Sequence, residues 1–374
     1  MSPTRYAKVP SMIIDSHMHV LLGREGNENL PERYRRILSM LWAYSGGPPY
    51  DRDPDSFMAR VEERMSDPDG RYTISTLDQG GLDGAVLIPS DYGLAVGQDQ
   101  PMSLDQIHRG IADLQGLHPN RLFGFAGGDA RRPNALVDFE RAIKDYGLKG
   151  YKVMPHLGYY PSDRMLYPYY ERCQEWGIPV AICTNMEWTT CRTRFNEPLH
   201  IGDVLVDFPD LNVIIFHVGF PIPSWFEQCL MLSVASLNVY LQFDAWIYPS
   251  FAPLQRGFIN AINNEETVIS MLDRARQVVG AHRIVFGTDN NCGPSMHGEK
   301  LYEGKGMGWI VDWWRALPER AAKYGVTFTD KEVELILGKN IGRLLGVVDM
   351  PEYERKHKYG FPVRTPGPRP MTSG

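Results

Sequence analysis

Short apolar runs rich in β-branched residues recur along the chain, each followed by a longer stretch whose apolar positions return every three or four residues. The first pattern fits strands buried on both faces, and the second fits amphipathic helices. Eight strand runs stand out, over residues 12–15, 84–88, 122–126, 148–153, 179–183, 212–216, 239–243 and 283–286. Helical periodicity covers 103–117, 134–146, 165–176, 201–208, 223–235 and 265–278, with a final pair over 307–324 and 329–345. Ser103 and Asp330 stand where helix caps are expected. Strands that alternate with helices require a parallel sheet, and eight repeats favour a closed one. The expected fold is therefore α/β, a (β/α)8 TIM barrel.

Two segments fall outside that repeat. Residues 21–75 form too long a connection after the first strand; they hold Gly46-Gly47-Pro48-Pro49 with Trp42 and Tyr44, and read as a helical insertion on the catalytic face. Residues 351–374 hold five of the 28 prolines and no periodicity, which fits an extended tail beyond a single domain over 1–350. The 43% hydrophobic content allows a sizeable core. With a net charge of −6 and basic residues dispersed, nothing resembles a nucleic-acid-binding stripe. No apolar run approaches the length of a membrane span, and no apolar segment follows Arg5 and Lys8 as in a signal peptide. The five cysteines (Cys173, Cys183, Cys191, Cys229, Cys292) form no CxxC pair, as expected of reduced thiols in a cytoplasmic protein. The expected partner is a small molecule, neither nucleic acid nor membrane.

Several strand runs end in residues that carry chemistry. Ile13-Ile14-Asp15-Ser16-His17-Met18-His19 ends in two histidines two positions apart. On a strand such residues share a face, so both imidazoles point to the barrel axis at the end where barrel enzymes place their chemistry. An isolated HxH is more often a solvent-facing loop pair; its place at the close of the first of eight strands favours a metal half-site here. Ile284-Val285-Phe286-Gly287-Thr288-Asp289 delivers a carboxylate in the same way from the last strand, which neighbours the first in a closed barrel. Alone, Asp289 would read as a turn residue. His217, after Val213-Ile214-Ile215-Phe216, is a further ligand, a general acid/base or a core histidine. Lys152 ends the fourth strand; its readings are a surface lysine, an anchor for an anionic group, or a carbamylated metal bridge.

These residues resemble the amidohydrolase superfamily, and within it the amidohydrolase-related branch of aminocarboxymuconate-semialdehyde decarboxylase and resorcylate decarboxylase type enzymes, hydrolases and lactonases. The resemblance runs from about Met12 to Val347. It rests on His17-Met18-His19, His217-Val218-Gly219 and Gly287-Thr288-Asp289. Supporting segments are Gly147-Leu148-Lys149-Gly150-Tyr151-Lys152, Leu157-Gly158-Tyr159-Tyr160-Pro161, Phe208-Pro209-Asp210-Leu211 and Lys339-Asn340-Ile341-Gly342-Arg343. It implies a divalent metal on His17, His19 and Asp289, with Zn2+ favoured over Mn2+, and a dimer, as related barrels often are. The branch usually ends its fifth strand with a metal-binding histidine; here Cys183 stands there, either a thiolate ligand or a packing residue. His156 is a second candidate for that corner, and Asn290-Asn291 stands where the branch often has an aromatic and a proline.

The implied activity is hydrolysis of a small cyclic or aromatic acyl substrate, with His217 and Asp289 as the catalytic pair. The alternative is non-oxidative decarboxylation of an aromatic or unsaturated acid. A third reading is a metal-poor binding scaffold in which Cys183 has replaced the ligand. Lys152, His156, Asn185, Trp188 and Asn290 are the expected substrate contacts, and Arg24, Arg192 or Arg194 could clamp an acid. Trp42, Tyr44, Tyr159, Tyr160, Trp188, Trp225 and Trp246 would suit a flat substrate if they line the mouth.

Overall fold

The structure is a computed structural model that describes residues 12–23, 29–37, 66–187, 190–247, 264–291 and 308–349. Trp42, Tyr44, Trp188, Arg24, Cys292, most of the expected insertion and the whole tail lie outside the described residues. All eight expected strands are present: β1 (Ile14–His19), β2 (Gly84–Ile88), β3 (Leu122–Gly127), β4 (Gly150–Val153), β5 (Val180–Cys183), β6 (Val213–Phe216), β7 (Val239–Phe243) and β8 (Ile284–Phe286). Each pairs in parallel with the next, in the order β8-β7-β6-β5-β4-β3-β2-β1. A two-residue strand, β9 (Asn290–Asn291), then runs parallel to β1, pairing Met18 with Asn290 and His19 with Asn291.

The seam between β8 and β1 is closed by side chains as well. The Ser16 hydroxyl donates to the Phe286 carbonyl at 2.7 Å, and the Thr288 amide donates to Asp15 Oδ1 at 2.9 Å. The Thr288 hydroxyl donates to the other Asp15 oxygen. Gly287 sits inside this junction, where a Cβ would strike the Gln242 amide and come within 2.9 Å of Ser16 Oγ.

Alternation along the strands sends one set of side chains inward and the other toward the helices. Ile14, Val86, Ile88, Phe123, Phe125, Ala181, Ile214, Phe216 and Val285 fill the barrel. Phe125 occupies so much of it that β4 has glycine opposite: a Cβ on Gly150 would lie 2.5 Å from the Phe125 ring. Truncating such a ring to alanine costs about 3–5 kcal/mol.

The helices follow the expected periodicity, with informative exceptions. Helix Leu104–Leu117 opens with a full capping box, Ser103 Oγ accepting from the Gln106 amide and Gln106 Oε1 from the Ser103 amide. Asp330 is not the expected cap. It is the first residue of helix Asp330–Glu334, and Thr329 caps it through a capping box with Glu332, which a lone Asp cannot match. The stretch expected over 307–324 divides into Gly308–Arg315 and Leu317–Ala322, because Pro318 has no amide to continue the ladder. The stretch over 329–345 is interrupted by a π turn, Leu335–Lys339. There Gly338 packs on the Met12 backbone, and Asn340 donates to the carbonyls of Ala281 (2.8 Å) and Ile284 (2.7 Å), plugging the end of the barrel remote from the histidines. A helix the periodicity did not single out, Arg71–Gly80, precedes β2. Among the described residues no helix is long and apolar enough to cross a membrane.

Candidate metal centre

Strict alternation from Ile14, which faces the interior, would send Ser16 and Met18 inward and both histidines out. The β1–β2 register shows why this does not happen: Asp15 pairs with Ala85, but Met18 pairs with Leu87, so β1 carries one extra residue. This bulge shifts the phase by one, a device that re-aims side chains beside active sites. Met18 then packs among the residues that face the helices. Asp15 Oδ1 accepts the His17 amide at 2.9 Å and pins the bulge. Burial pushes the Asp15 carboxyl up to about 7, against its hydrogen bonds from Thr288 and His17.

The two imidazoles meet tip to tip, Nε2 to Nε2 at 3.0 Å, and each Nε2 lies 3.2 Å from Asp289 Oδ1. Asp289 reaches this point from a left-handed backbone (φ 53°) just past β8, an uncommon conformation that Asp tolerates better than most residues. From the other side come His217 and Asp244. His217 (φ 66°) and Val218 (φ 43°) form a tight left-handed turn after β6, and such outliers cluster at functional sites. Asp244 follows β7, is fully buried, and places Oδ2 2.9 Å from His217 Nδ1 and 3.4 Å from His17 Nδ1. His17, His217, Asp244 and Asp289 each offer one ligand atom within 4.8 Å of the others.

Around an ion with bonds of about 2.0–2.2 Å, neighbouring ligands lie about 3.0–3.4 Å apart. The His17, His19 and Asp289 atoms show that spacing. Both histidines also have the remaining ring nitrogen beside an outer group, Asp244 for His17 and Ser90 Oγ (3.3 Å) for His19, as metal-binding histidines do. Burial brings the His17 pKa down to about 3, opposed by the nearby Asp289 charge, so its ring is neutral and able to donate a lone pair. Burial raises Asp289, but the His17, His19 and His217 imidazoles around it, His19 by a hydrogen bond, hold it well below the ordinary carboxylate range. For His217 burial acts downward and the Asp244 carboxylate upward, and Asp244 prevails: the imidazole is held well above its ordinary value. These residues fit a divalent ion.

Of the other expected residues, Cys183 is buried at the end of β5 with Sγ 3.6 Å from His217 Nε2. Lys152 is fully buried inside the barrel, its Nζ 3.7 Å from the centroid of Phe216, whose ring packs 4.4 Å from that of His17. His156 is 2% exposed, with Nδ1 3.3 Å from Asn196 and 3.4 Å from Glu187. Asn185 supports this arrangement: its Nδ2 donates to Glu187 at 3.0 Å, and its carbonyl accepts from Asn196 at 2.8 Å. Asn290 is buried at the seam, its backbone N–H donating to the Thr288 hydroxyl.

The expected aromatic mouth is corrected in part. Trp246 is buried and donates its indole N–H to the Val218 carbonyl, Tyr159 is buried with its hydroxyl on the Gly128 carbonyl, and Tyr160 stacks on His200. These rings pack the scaffold. The site has instead Tyr34 and Tyr92, stacked at 4.0 Å, with His156 next in the stack 6.1 Å from Tyr92. Arg192 and Arg194 are exposed, Arg194 lying over the Phe195 ring, so the buried cation beside the site is Lys152. Sequence reading passed over Asp244, although it follows strand run 239–243 just as Asp289 follows its own. Ser90, Glu187, Asn196, Tyr34 and Tyr92 carried no comparable signal.

The sequence profile of the amidohydrolase family matches residues 14–347. A 2-keto-4-carboxy-3-hexenedioate hydratase from Sphingobium sp. strain SYK-6 is 24% identical over 276 residues, 63% of this chain and 76% of the relative. Among solved structures, 5-carboxyvanillate decarboxylase from Sphingomonas paucimobilis superposes with a TM-score of 0.57 at 14% identity, over 90% of this chain and 99% of that one. A dihydroxybenzoic acid decarboxylase from Polaromonas sp. JS666, with bound manganese and 2-nitroresorcinol, gives 0.59 at 14% identity over 90% and 97%. The match spans nearly the whole barrel, from β1 to the terminal plug, and on it this chain belongs to the amidohydrolase family.

Proposed function

We propose that the protein is a metal-dependent lyase that adds or removes water or CO2 at a carbon of a small unsaturated or aromatic carboxylic acid. The observation that carries this is the pairing of a convergent His17–His19–Asp289 triangle with a His217 imidazole that Asp244 keeps protonated. The ligand-like spacing makes His17, His19 and Asp289 the ligands, and His217, which would have to be unprotonated to ligate, is the proton donor instead. Zn2+ suits two imidazoles and a carboxylate, with Mn2+ the alternative. When bound, the ion supplies a Lewis acid that polarises a carbonyl or carboxylate oxygen.

The chain's own groups do the rest. His217, positioned by Asp244 through Nδ1, delivers a proton from Nε2 toward the reacting carbon or oxygen. Asp244 stays ionised and holds the ring in place, as an orienting carboxylate does. Tyr34 and Tyr92 stack on each other within reach of the Asp289 charge, which acts on Tyr34. The same proton donor would serve hydrolysis of an acyl bond. The lyase reading takes precedence because the curated relative is a hydratase and the two superposed structures are decarboxylases.

The test is a panel of unsaturated and aromatic carboxylic acids and lactones, offered to zinc- or manganese-loaded protein. Ultraviolet absorbance reports loss or gain of conjugation, and released CO2 is measured separately. Turnover of an acid with CO2 release or loss of conjugation supports the reading. Turnover of lactones or amides alone would return it to hydrolysis.

A further inference from the structure

Lys152 has no role in the chemistry above, yet it is fully buried inside the barrel. Its residue is 0% exposed, and among the described residues its Nζ has no hydrogen-bond partner. Its neighbour is the face of Phe216 at 3.7 Å, and cation–π attraction recovers only part of the hydration lost. Removing an ammonium from water without an anionic partner carries an effective penalty of several kcal/mol. Other buried charges in this fold are handled differently: Asp91 accepts from Nε and Nη2 of Arg132, each at 2.7 Å, and Asp129 pairs with Arg131.

His156 presents the same problem four residues on. Its Nδ1 faces Asn196 and Glu187, while its buried Nε2 has no partner among the described residues. The Asn196 side chain, which also accepts the His156 amide at 2.9 Å, fixes the ring. Lys152 Nζ lies over Phe216, whose ring packs 4.4 Å from that of His17, and the Lys152 charge also acts on the His156 ring, so the ammonium is near both. Two buried nitrogens near the proposed metal thus have no hydrogen-bond partner among the described residues.

We propose that Lys152 Nζ and His156 Nε2 form a second anion subsite that takes a carboxylate, so that the substrate is a dicarboxylate held at the metal by one end and at Lys152–His156 by the other. This rests on the metal reading above. Charge-assisted hydrogen bonds to a buried ammonium supply the missing partner and fix the substrate's direction in the barrel. The alternative fate of a buried strand-4 lysine, a carbamate bridging two ions, predicts a second metal equivalent instead.

Calorimetric titration with glutarate and with butyrate, on metal-loaded and chelator-stripped protein, tests the proposal. Glutarate is expected to bind wild type about 10- to 100-fold more tightly than butyrate. Lys152→Met should reduce glutarate to the butyrate level while leaving butyrate affinity and metal content unchanged. With no ligand, Lys152→Met should also melt no lower than wild type, because an unpaired buried charge has gone. His156→Gln provides a second variant, expected to lower the glutarate preference in part. A glutarate preference that survives both substitutions overturns the subsite. So does bicarbonate-dependent uptake of a second metal equivalent that Lys152→Met abolishes. The two readings fail separately: a Lys152-dependent glutarate preference without metal binding removes the metal and leaves the anion site, whereas one metal equivalent without the preference does the reverse.

Discussion

Burial alone would leave His217 neutral, and the Asp244 carboxylate 2.9 Å from its Nδ1 reverses that. Replacing Asp244 with Asn keeps the size of the side chain and removes the charge. Asp244→Asn is expected to lower kcat by about 10²- to 10⁴-fold, with a smaller change in KM, in steady-state assays on a substrate from the acid panel. An unchanged kcat would release His217 from its role as proton donor. Cys183 tests the opposite edge of the site. Its sulfur faces His217 Nε2 at 3.6 Å; if the thiolate is a metal ligand, as its place at the end of β5 allows, Cys183→Ala is expected to weaken the metal at least about 10-fold. Competition with a chromophoric chelator reads this directly, and wild-type affinity in Cys183→Ala would leave Cys183 a packing residue.

The elements explain how much of this was legible in the chain. Strands buried on both faces have to be written as continuous apolar runs, so all eight could be read, and the residues at their C-terminal ends marked the site. The phase of β1 could not. The spacing of His17 and His19 shows that they share a face, but it does not show which, and the bulge that turns them inward is a register effect between Asp15 and Met18 with no composition of its own. Tyrosine and tryptophan pack as readily as they bind, which is why Tyr159 and Trp246 read as mouth residues and lie in the scaffold. Gly287 is an element-scale requirement. A methyl there would meet Gln242 and Ser16, so Gly287→Ala is expected to cost about 1–3 kcal/mol by overpacking and to weaken metal binding by displacing Asp289, as urea melts and metal titration would show. The loops after β2 and β3 are joined by the buried Asp91–Arg132 pair. Burial pushes the Asp91 carboxyl up, but Arg132 outweighs it and holds it below the ordinary value near 3.8. Its stabilisation is therefore complete above that value and is lost as pH falls through the depressed folded one. Asp91→Asn should lower stability at pH 7 by about 3–5 kcal/mol and flatten the loss of melting temperature below pH 4. An acid limb as steep as that of wild type would contradict this.

At the scale of the whole molecule, the proposed metal joins the first strand to the last, where the ladder between β8 and β1 gives way to side-chain bonds and β9. An ion held by His17, His19 and Asp289 would act as a clasp on that seam and stabilise the folded barrel by mass action. The most direct test is elemental analysis after zinc or manganese loading and removal of free ion, on wild type and on Asp289→Ala, with circular dichroism to show that both are folded. The account predicts about one equivalent per chain in wild type, a melting temperature that falls when a chelator strips it, and little or no metal in the folded variant. Less than half an equivalent in folded wild type, or full metal content in Asp289→Ala, would contradict it.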